Sequence, residues 1–304
     1  MSDRPDLEDR SVGALLGLAV GDAVGTTLEF KRRDSYPPLT DMIGGGPFCL
    51  EAGVWTDDTA MALALADSLT ECGQLDPADL MRRFVRWWRD GAYSPTGTCF
   101  DIGTTTSAAL AKYERTGEPL AGSTDSDTAG NGSLMRLAPV AIWGAVAGVS
   151  AMRDAARRQS ATTHGAPACL DACEGFALIL HAVISGSAFA NALSAAAEVS
   201  ALEPIGEILA GSWRGKRRDA IRSSGYVAHS LEAALWCVAE TASYRDAVLL
   251  AANLGEDADT TAAITGQLAG ALYGASGIPT DWRRRVAWGS KIESIAAALL
   301  RPRG

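Results

Sequence analysis

Two short acidic strings carry the densest chemistry in this chain. Thr56-Asp57-Asp58-Thr59 and Asp257-Ala258-Asp259-Thr260-Thr261 stand about 200 residues apart. Each opens an apolar stretch with helical spacing, Ala60 to Leu69 after the first and Ala262 to Tyr273 after the second. A helix start favours negative charge, because its first N–H groups lack partners and the macrodipole is positive there. One helix end offsets one carboxylate, not four brought together. Two divalent cations balance four aspartates, and hard ions such as Mg²⁺ or Mn²⁺ prefer carboxylate and hydroxyl oxygens. The strings therefore predict a two-metal hydrolytic site built from both ends of the chain. Either string alone reads as an ordinary helix cap; the pairing favours metal.

Other segments could join them. Gly17, Gly21 and Gly25 share one helical pattern that lets a backbone or ligand approach closely, and Glu29 follows as an isolated acid. Asp101 lies among hydroxyls in Cys99-Phe100-Asp101-Ile102-Gly103-Thr104, where helix cap and substrate contact are both open readings. Gly130-Asn131-Gly132-Ser133 precedes a helical pattern from Leu134, which makes it either an anion cradle or plain turn chemistry. His164 sits in a loop, while Cys169 and Cys173 lie too far from enough further ligands for a structural zinc site.

The elements that must position these groups read as helical almost throughout. The predicted helices are Val12 to Val20, Thr59 to Leu69, Pro77 to Trp88, Thr105 to Tyr113, Leu134 to Trp143, Ser150 to Ser160, Ala166 to Ser185, Ala188 to Leu202, Ser230 to Thr241, Tyr244 to Asn253, Thr260 to Gly274 and Arg284 to Leu300. Three long Gly-rich loops, 29–53, 91–103 and 117–133, separate them, and loops of that length in a compact domain are usually functional. Because the two acidic strings must meet, the expectation is one all-α orthogonal helical domain over 11–304 after a polar tail at 1–10.

Composition narrows the function classes. The 304 residues are 47% hydrophobic and 21% charged, with net charge −9. That is globular composition without the basic surface of a nucleic-acid binder; the basic runs Arg214 to Arg218, Arg283 to Arg285 and Arg301/Arg303 read as solvated helix ends. The expectation is that no apolar stretch spans a bilayer, since Leu137 to Val149 is short and interrupted by Pro139, Gly144 and Gly148. Six scattered cysteines suit a reduced, cytoplasmic protein.

Taken in order, Gly21-Asp22-Ala23 with Glu29, Trp55-Thr56-Asp57-Asp58-Thr59, Phe100-Asp101-Ile102-Gly103, Gly130-Asn131-Gly132 with Met135-Arg136, Thr163-His164, Gly225-Tyr226-Val227 and Gly255-Glu256-Asp257-Ala258-Asp259-Thr260 resemble the ADP-ribosylglycohydrolase family over residues 10 to 300. The resemblance implies a single all-α domain with a binuclear Mg²⁺ or Mn²⁺ centre. It implies Thr56, Asp57, Asp58, Asp257, Asp259 and Thr260 as metal ligands, with Glu29 and Asp101 as catalytic acids. Gly130, Asn131, Gly132, Ser133, Met135, His164 and Tyr226 are implied as substrate contacts, and an ADP-ribosylated protein as the partner. The sequence departs from the family's bacterial pattern at Thr104, where Asn is frequent, which leaves the acceptor open.

The expected activity is hydrolysis of the N-glycosidic bond of ADP-ribosyl-arginine. Serine-linked or small-molecule conjugates are the alternative substrates, and a non-catalytic ADP-ribose-binding regulator is the alternative class. Terpene-synthase-like diphosphate chemistry also uses acidic clusters, but it fits an Asp-x-Asp-Thr string and a Gly-Asn-Gly turn poorly.

Overall fold

Helices are the regular elements throughout residues 5–197, 199 and 201–301, which the computed structural model describes. In chain order they are α1 (Leu7–Gly25), α2 (Asp57–Cys72), α3 (Pro77–Asp90), α4 (Thr104–Thr116), α5 (Ala138–Ala147), α6 (Val149–Ala161), α7 (Pro167–Ile184), α8 (Phe189–Ala196), α9 (Ile205–Ala210), α10 (Val227–Ala239), α11 (Tyr244–Ala252), α12 (Ala258–Tyr273), α13 (Thr280–Arg285) and α14 (Gly289–Leu299). Among the described residues there are isolated bridges but no strand.

The centre is the antiparallel pair α1 and α12, with α2, α5, α7, α10, α11 and α14 packed on one or both. Small residues set this pair. Gly13, Gly17, Gly21 and Gly25 of α1 face Gly270, Gly266, Ala262 and Ala258 of α12, and a methyl built on any of the four would run into the facing carbonyl. Each glycine costs a helix about 1 kcal/mol relative to alanine. What it gains here is backbone-to-backbone approach, which brings the end of α1 beside the start of α12. The close-approach reading of Gly17, Gly21 and Gly25 thus resolves to another backbone rather than a ligand.

Local signals explain most boundaries. The Asp76 side chain caps α3 through the Ala78 and Asp79 N–H groups, Pro77 opens the helix, and Gly91 closes it in a left-handed turn. Four expectations shift. Helix α1 starts at Leu7, within the expected tail, because Asp6 accepts from Asp9 N–H and Arg10 is buried and donates to the Val183 carbonyl. Residues 134–136 form turns and Leu137 is the cap position before α5, rather than the start of the helix: the Leu134 and Met135 N–H groups both donate to the Asn131 carbonyl. The expected helix Ala188 to Leu202 ends at Ala196, with α9 separate after Pro204; residues 198 and 200 lie outside the described residues. The expected helix Arg284 to Leu300 is split by Trp288, whose φ of 59° breaks the chain between α13 and α14. Arg303 of the basic tail also lies outside the described residues.

Candidate active site

The two acidic strings stand at the N-termini of α2 and α12, and neither cap residue closes its own helix. Thr56 and Asp257 occupy the cap positions without a capping side-chain hydrogen bond. The caps come instead from α1 and the turn after it. Asp22 accepts at Oδ1 from the Thr56 N–H (2.9 Å) and hydroxyl (2.9 Å), and at Oδ2 from the Thr59 N–H (3.1 Å) and hydroxyl (2.7 Å). Glu29 accepts at Oε2 from the Ala258 N–H (2.7 Å) and the Asp259 N–H (3.3 Å). Asp259 Oδ1 still accepts from the Thr260 N–H of its own helix (2.7 Å), but with the rest of the helix ends satisfied by other acids, most of the strings' carboxylate oxygens are left for other work. Ordinary capping is therefore not the role of Thr56 or Asp257.

The released carboxylates converge. Glu29, Asp257 and Asp259 each offer an oxygen within 4.8 Å of the others. Asp57, Asp101, Asp257 and Asp259 line one cleft of about 710 Å³ with Glu29 and Thr260, a size that suits a small-molecule ligand. Asp58 lies beneath, wholly buried. Its Oδ2 is in reach of the Thr56 hydroxyl at 3.1 Å, and its Oδ1 is buried with no hydrogen-bond partner. A buried acceptor left unpaired is costly, and a hard cation satisfies such an oxygen.

Burial, then mutual repulsion, holds these acids toward their protonated forms. Burial raises Glu29 to about 8, and the charges of Asp257 and Asp101 add to it. Burial raises Asp101 and Asp22 to about 6. Asp57, Asp58 and Asp259 are pushed well above the carboxylate range by burial and neighbouring charges, and Asp257 is raised chiefly by burial. Such clustering of raised acids in a cleft marks a functional site, and divalent cations would remove the strain by letting them ionise.

Asp101 is not a helix cap. Gly103 holds that position before α4, and Asp101 adopts a left-handed backbone (φ 59°) that turns it toward Asp259. Phe30 (φ 59°) and Glu256 (φ 60°) share that backbone region and the same cleft. The Phe30 N–H donates to the Glu256 carbonyl, and the Glu256 N–H to the Lys31 carbonyl, so the strained residues are tied together. Sparsely populated backbone conformations of this kind gather at functional sites.

The opposite wall comes from the Gly-rich turn. Gly130, Asn131, Gly132, Met135 and His164 line the cleft. The Asn131 amide donates to Asp257 Oδ2 (2.6 Å) and to the Ser230 hydroxyl (2.8 Å), which fixes the carboxylate from behind. The His164 ring lies under the turn: a methyl on Gly132 would strike it, and one on Gly130 would press on it. Burial lowers His164 to about 3, with the Arg136 charge adding to it, so the imidazole is neutral. Arg136 is itself buried and donates to the Gly132 carbonyl, the Gln159 side chain and the Gln159 carbonyl.

Two expected substrate contacts lie elsewhere. Ser133 points into the core, where its hydroxyl meets those of Ser160 (2.8 Å) and the Cys173 thiol (3.4 Å), because the chain has already turned inward toward α5. Tyr226 reaches the site through its backbone. Asn131 N–H donates to the Gly225 carbonyl and Val227 N–H to the Ala129 carbonyl, while the phenol ring packs edge-on against His229 and off the cleft lining. Cys169 donates to the Gly130 carbonyl and Cys173 toward the Ser133 hydroxyl. Sequence reading missed Asp22 as the α2 cap, together with Phe30, Thr105, Thr106 and Glu256 in the cleft lining. The Gly21-Asp22 pairing was the available signal for Asp22.

The ADP-ribosylglycohydrolase family model matches residues 3–304. ADP-ribosylarginine hydrolase Tri1 of Pseudomonas putida (strain GB-1) is 50% identical over 292 residues, which cover 96% of this chain and 78% of that protein. The ADP-ribosyl-[dinitrogen reductase] glycohydrolase of Rhodospirillum rubrum is 34% identical, covering 91% of this chain and 90% of that protein. A solved ADP-ribosylglycohydrolase-related protein complex superposes with TM-score 0.87 at 38% identity, over 97% of this chain and 98% of that one.

Proposed function

Since the chain belongs to the ADP-ribosylglycohydrolase family and is an ADP-ribosylglycohydrolase enzyme, we propose that it removes ADP-ribose from arginine side chains of modified proteins. We place this activity in the cytoplasm, where its six unpaired cysteines are stable. The observation that carries the reading is the meeting of Glu29, Asp57, Asp101, Asp257 and Asp259 in one cleft above the unpaired Asp58 Oδ1.

Asp57, Asp58, Asp257 and Asp259, with the Thr56 and Thr260 hydroxyls, would hold two Mg²⁺ or Mn²⁺ ions. When bound, these ions would fix the ribose hydroxyls and stabilise charge on the sugar oxygens. The chain's own residues supply the rest. Glu29 keeps Oε2 on the start of α12, which leaves its other oxygen to hold or move a proton between the attacking water and the departing nitrogen. Hydrolysis breaks the bond from that carbon to the guanidine nitrogen, joins a water oxygen to the carbon, and returns a proton to the departing nitrogen. Asp101, on the strained loop, pairs with the cationic guanidinium through charge-assisted hydrogen bonds. Asn131 and the Gly130–Gly132 turn receive the ADP portion, with neutral His164 beneath.

The test is incubation with arginine-, serine- and cysteine-linked ADP-ribosyl peptides, with and without Mg²⁺ or Mn²⁺, reading free ADP-ribose. The expected result is metal-dependent release, fastest from the arginine link. Faster release from serine-linked peptide would overturn the acceptor assignment.

A further inference from the structure

An aromatic row runs outward from the cleft lining, starting at Phe30 beside Glu29 and ending at Phe100 beside Asp101. Phe30 directly follows Glu29 and is 68% exposed, an unusual state for so large an apolar side chain. Its ring meets Phe48 edge-on at 6.4 Å, and Phe48 meets Phe100 at 5.3 Å. Phe100 directly precedes Asp101.

Phe48 is delivered by a built turn. Gly45 and Leu50 exchange backbone hydrogen bonds of 2.7 and 3.0 Å, and the Thr27 hydroxyl ties the Gly44 carbonyl to the segment before Glu29 (3.0 Å). A second cavity of about 250 Å³ opens between Thr27, Lys31, Gly46 and Pro47, and it shares Glu29 and Phe30 with the main cleft. The second cavity thus extends the active site past Glu29 and Phe30 and shares no lining residue with the Gly130–Gly132 wall that takes the nucleotide in the reading above.

We propose that the Phe30–Phe48–Phe100 row and this second cavity receive the acceptor side of the substrate: the arginine guanidinium and the adjoining polypeptide of the modified protein. The proposal rests on the arginine reading. Two features favour that occupant. The row is continuous with the cleft through Phe30, and its chemistry is complementary: aromatic rings beside the Asp101 carboxylate attract a planar cation.

The experiment uses F48L and F100L, which keep apolar bulk but remove the ring, with F48Y as the conservative control. Steady-state kinetics on an arginine-linked ADP-ribosyl peptide are set beside ADP-ribose affinity by calorimetry. F48L and F100L should each raise KM for the peptide about fivefold, within the range of an exposed cation–aromatic contact, with ADP-ribose affinity unchanged and F48Y near wild type. An unchanged peptide KM in both Leu variants, or a matching loss of ADP-ribose affinity, would overturn the assignment while wild-type cleavage of the peptide keeps the parent reading intact. Failure of the wild-type protein to cleave the arginine-linked peptide would overturn the parent reading and this one with it.

Discussion

Asp22 and Glu29 come from the same stretch of chain and do the same first job, yet they end in opposite states. Each caps the start of a helix that carries an acidic string, Asp22 on α2 and Glu29 on α12. Asp22 spends both oxygens on four donors from Thr56 and Thr59 and is wholly buried. Glu29 spends one oxygen and lines the cleft. Burial lifts both, but Asp22 only to about 6, because its hydrogen bonds favour the charged form, and Glu29 to about 8. A saturated carboxylate is a strut; a half-saturated one beside like charges is poised to move a proton.

Substitutions should separate the two. Glu29→Gln keeps the shape and a cap acceptor, so melting and ADP-ribose binding should stay near wild type while kcat falls by about 10²–10⁴, the usual span of acid–base assistance. A variant with wild-type kcat would reduce Glu29 to a second strut. Asp22→Asn should do the reverse. Its amide N–H₂ would face one of the two donor pairs, at a cost of about 2–4 kcal/mol for buried groups left unpaired. The expected outcome is a clear fall in melting temperature, with kcat near wild type at temperatures where the variant is folded. Wild-type melting of Asp22→Asn would contradict the strut assignment.

Asp101→Asn probes the cleft lining rather than the caps. Because Gly103 holds the cap position, the fold should survive, and cleavage of arginine-linked peptide should fall about tenfold, more than that of a serine-linked one. Equal losses on both substrates would remove Asp101 from acceptor recognition.

The smallest effect is on stability against pH in chelator. Glu29 moves from an ordinary 4.5 to about 8 on folding. Between those values the folded state keeps a proton that the unfolded chain has released, so its stability falls as pH rises through that window and levels off above it. Melting temperature in chelator should therefore be lower at pH 8.5 than at pH 6, and Glu29→Gln should flatten the slope. A metal-free wild-type protein that gains stability over this range would contradict the raised Glu29.

Much of this was legible in the residues. The acidic strings, Glu29 and Asp101 could be picked out, and the helical periodicity located most helices, because local spacing encodes them. The parts that failed depend on contacts distant in sequence. Nothing near Thr56 says that Asp22 will cap α2, and the α1 glycines do not name Gly266 and Gly270 as their partners. Ser133 and Tyr226 sit in the right segments but face away, because the chain turns into the core at one and pairs by backbone at the other. Trp288, a large residue in a left-handed turn, splits an apolar run that reads as one helix.

The central claim is that Asp22 and Glu29, by capping α2 and α12, free the carboxylates of both strings for divalent cations. It is tested most directly by counting Mn²⁺ bound per chain in wild type and in the Asp58→Asn/Asp257→Asn double variant, with ADP-ribose release from arginine-linked peptide followed on the same samples. The account predicts two ions per wild-type chain, release that vanishes in chelator and returns with Mn²⁺, and loss of both binding and release in a double variant that remains folded. Full release in chelator, or two ions held with ordinary affinity by the double variant, would contradict it.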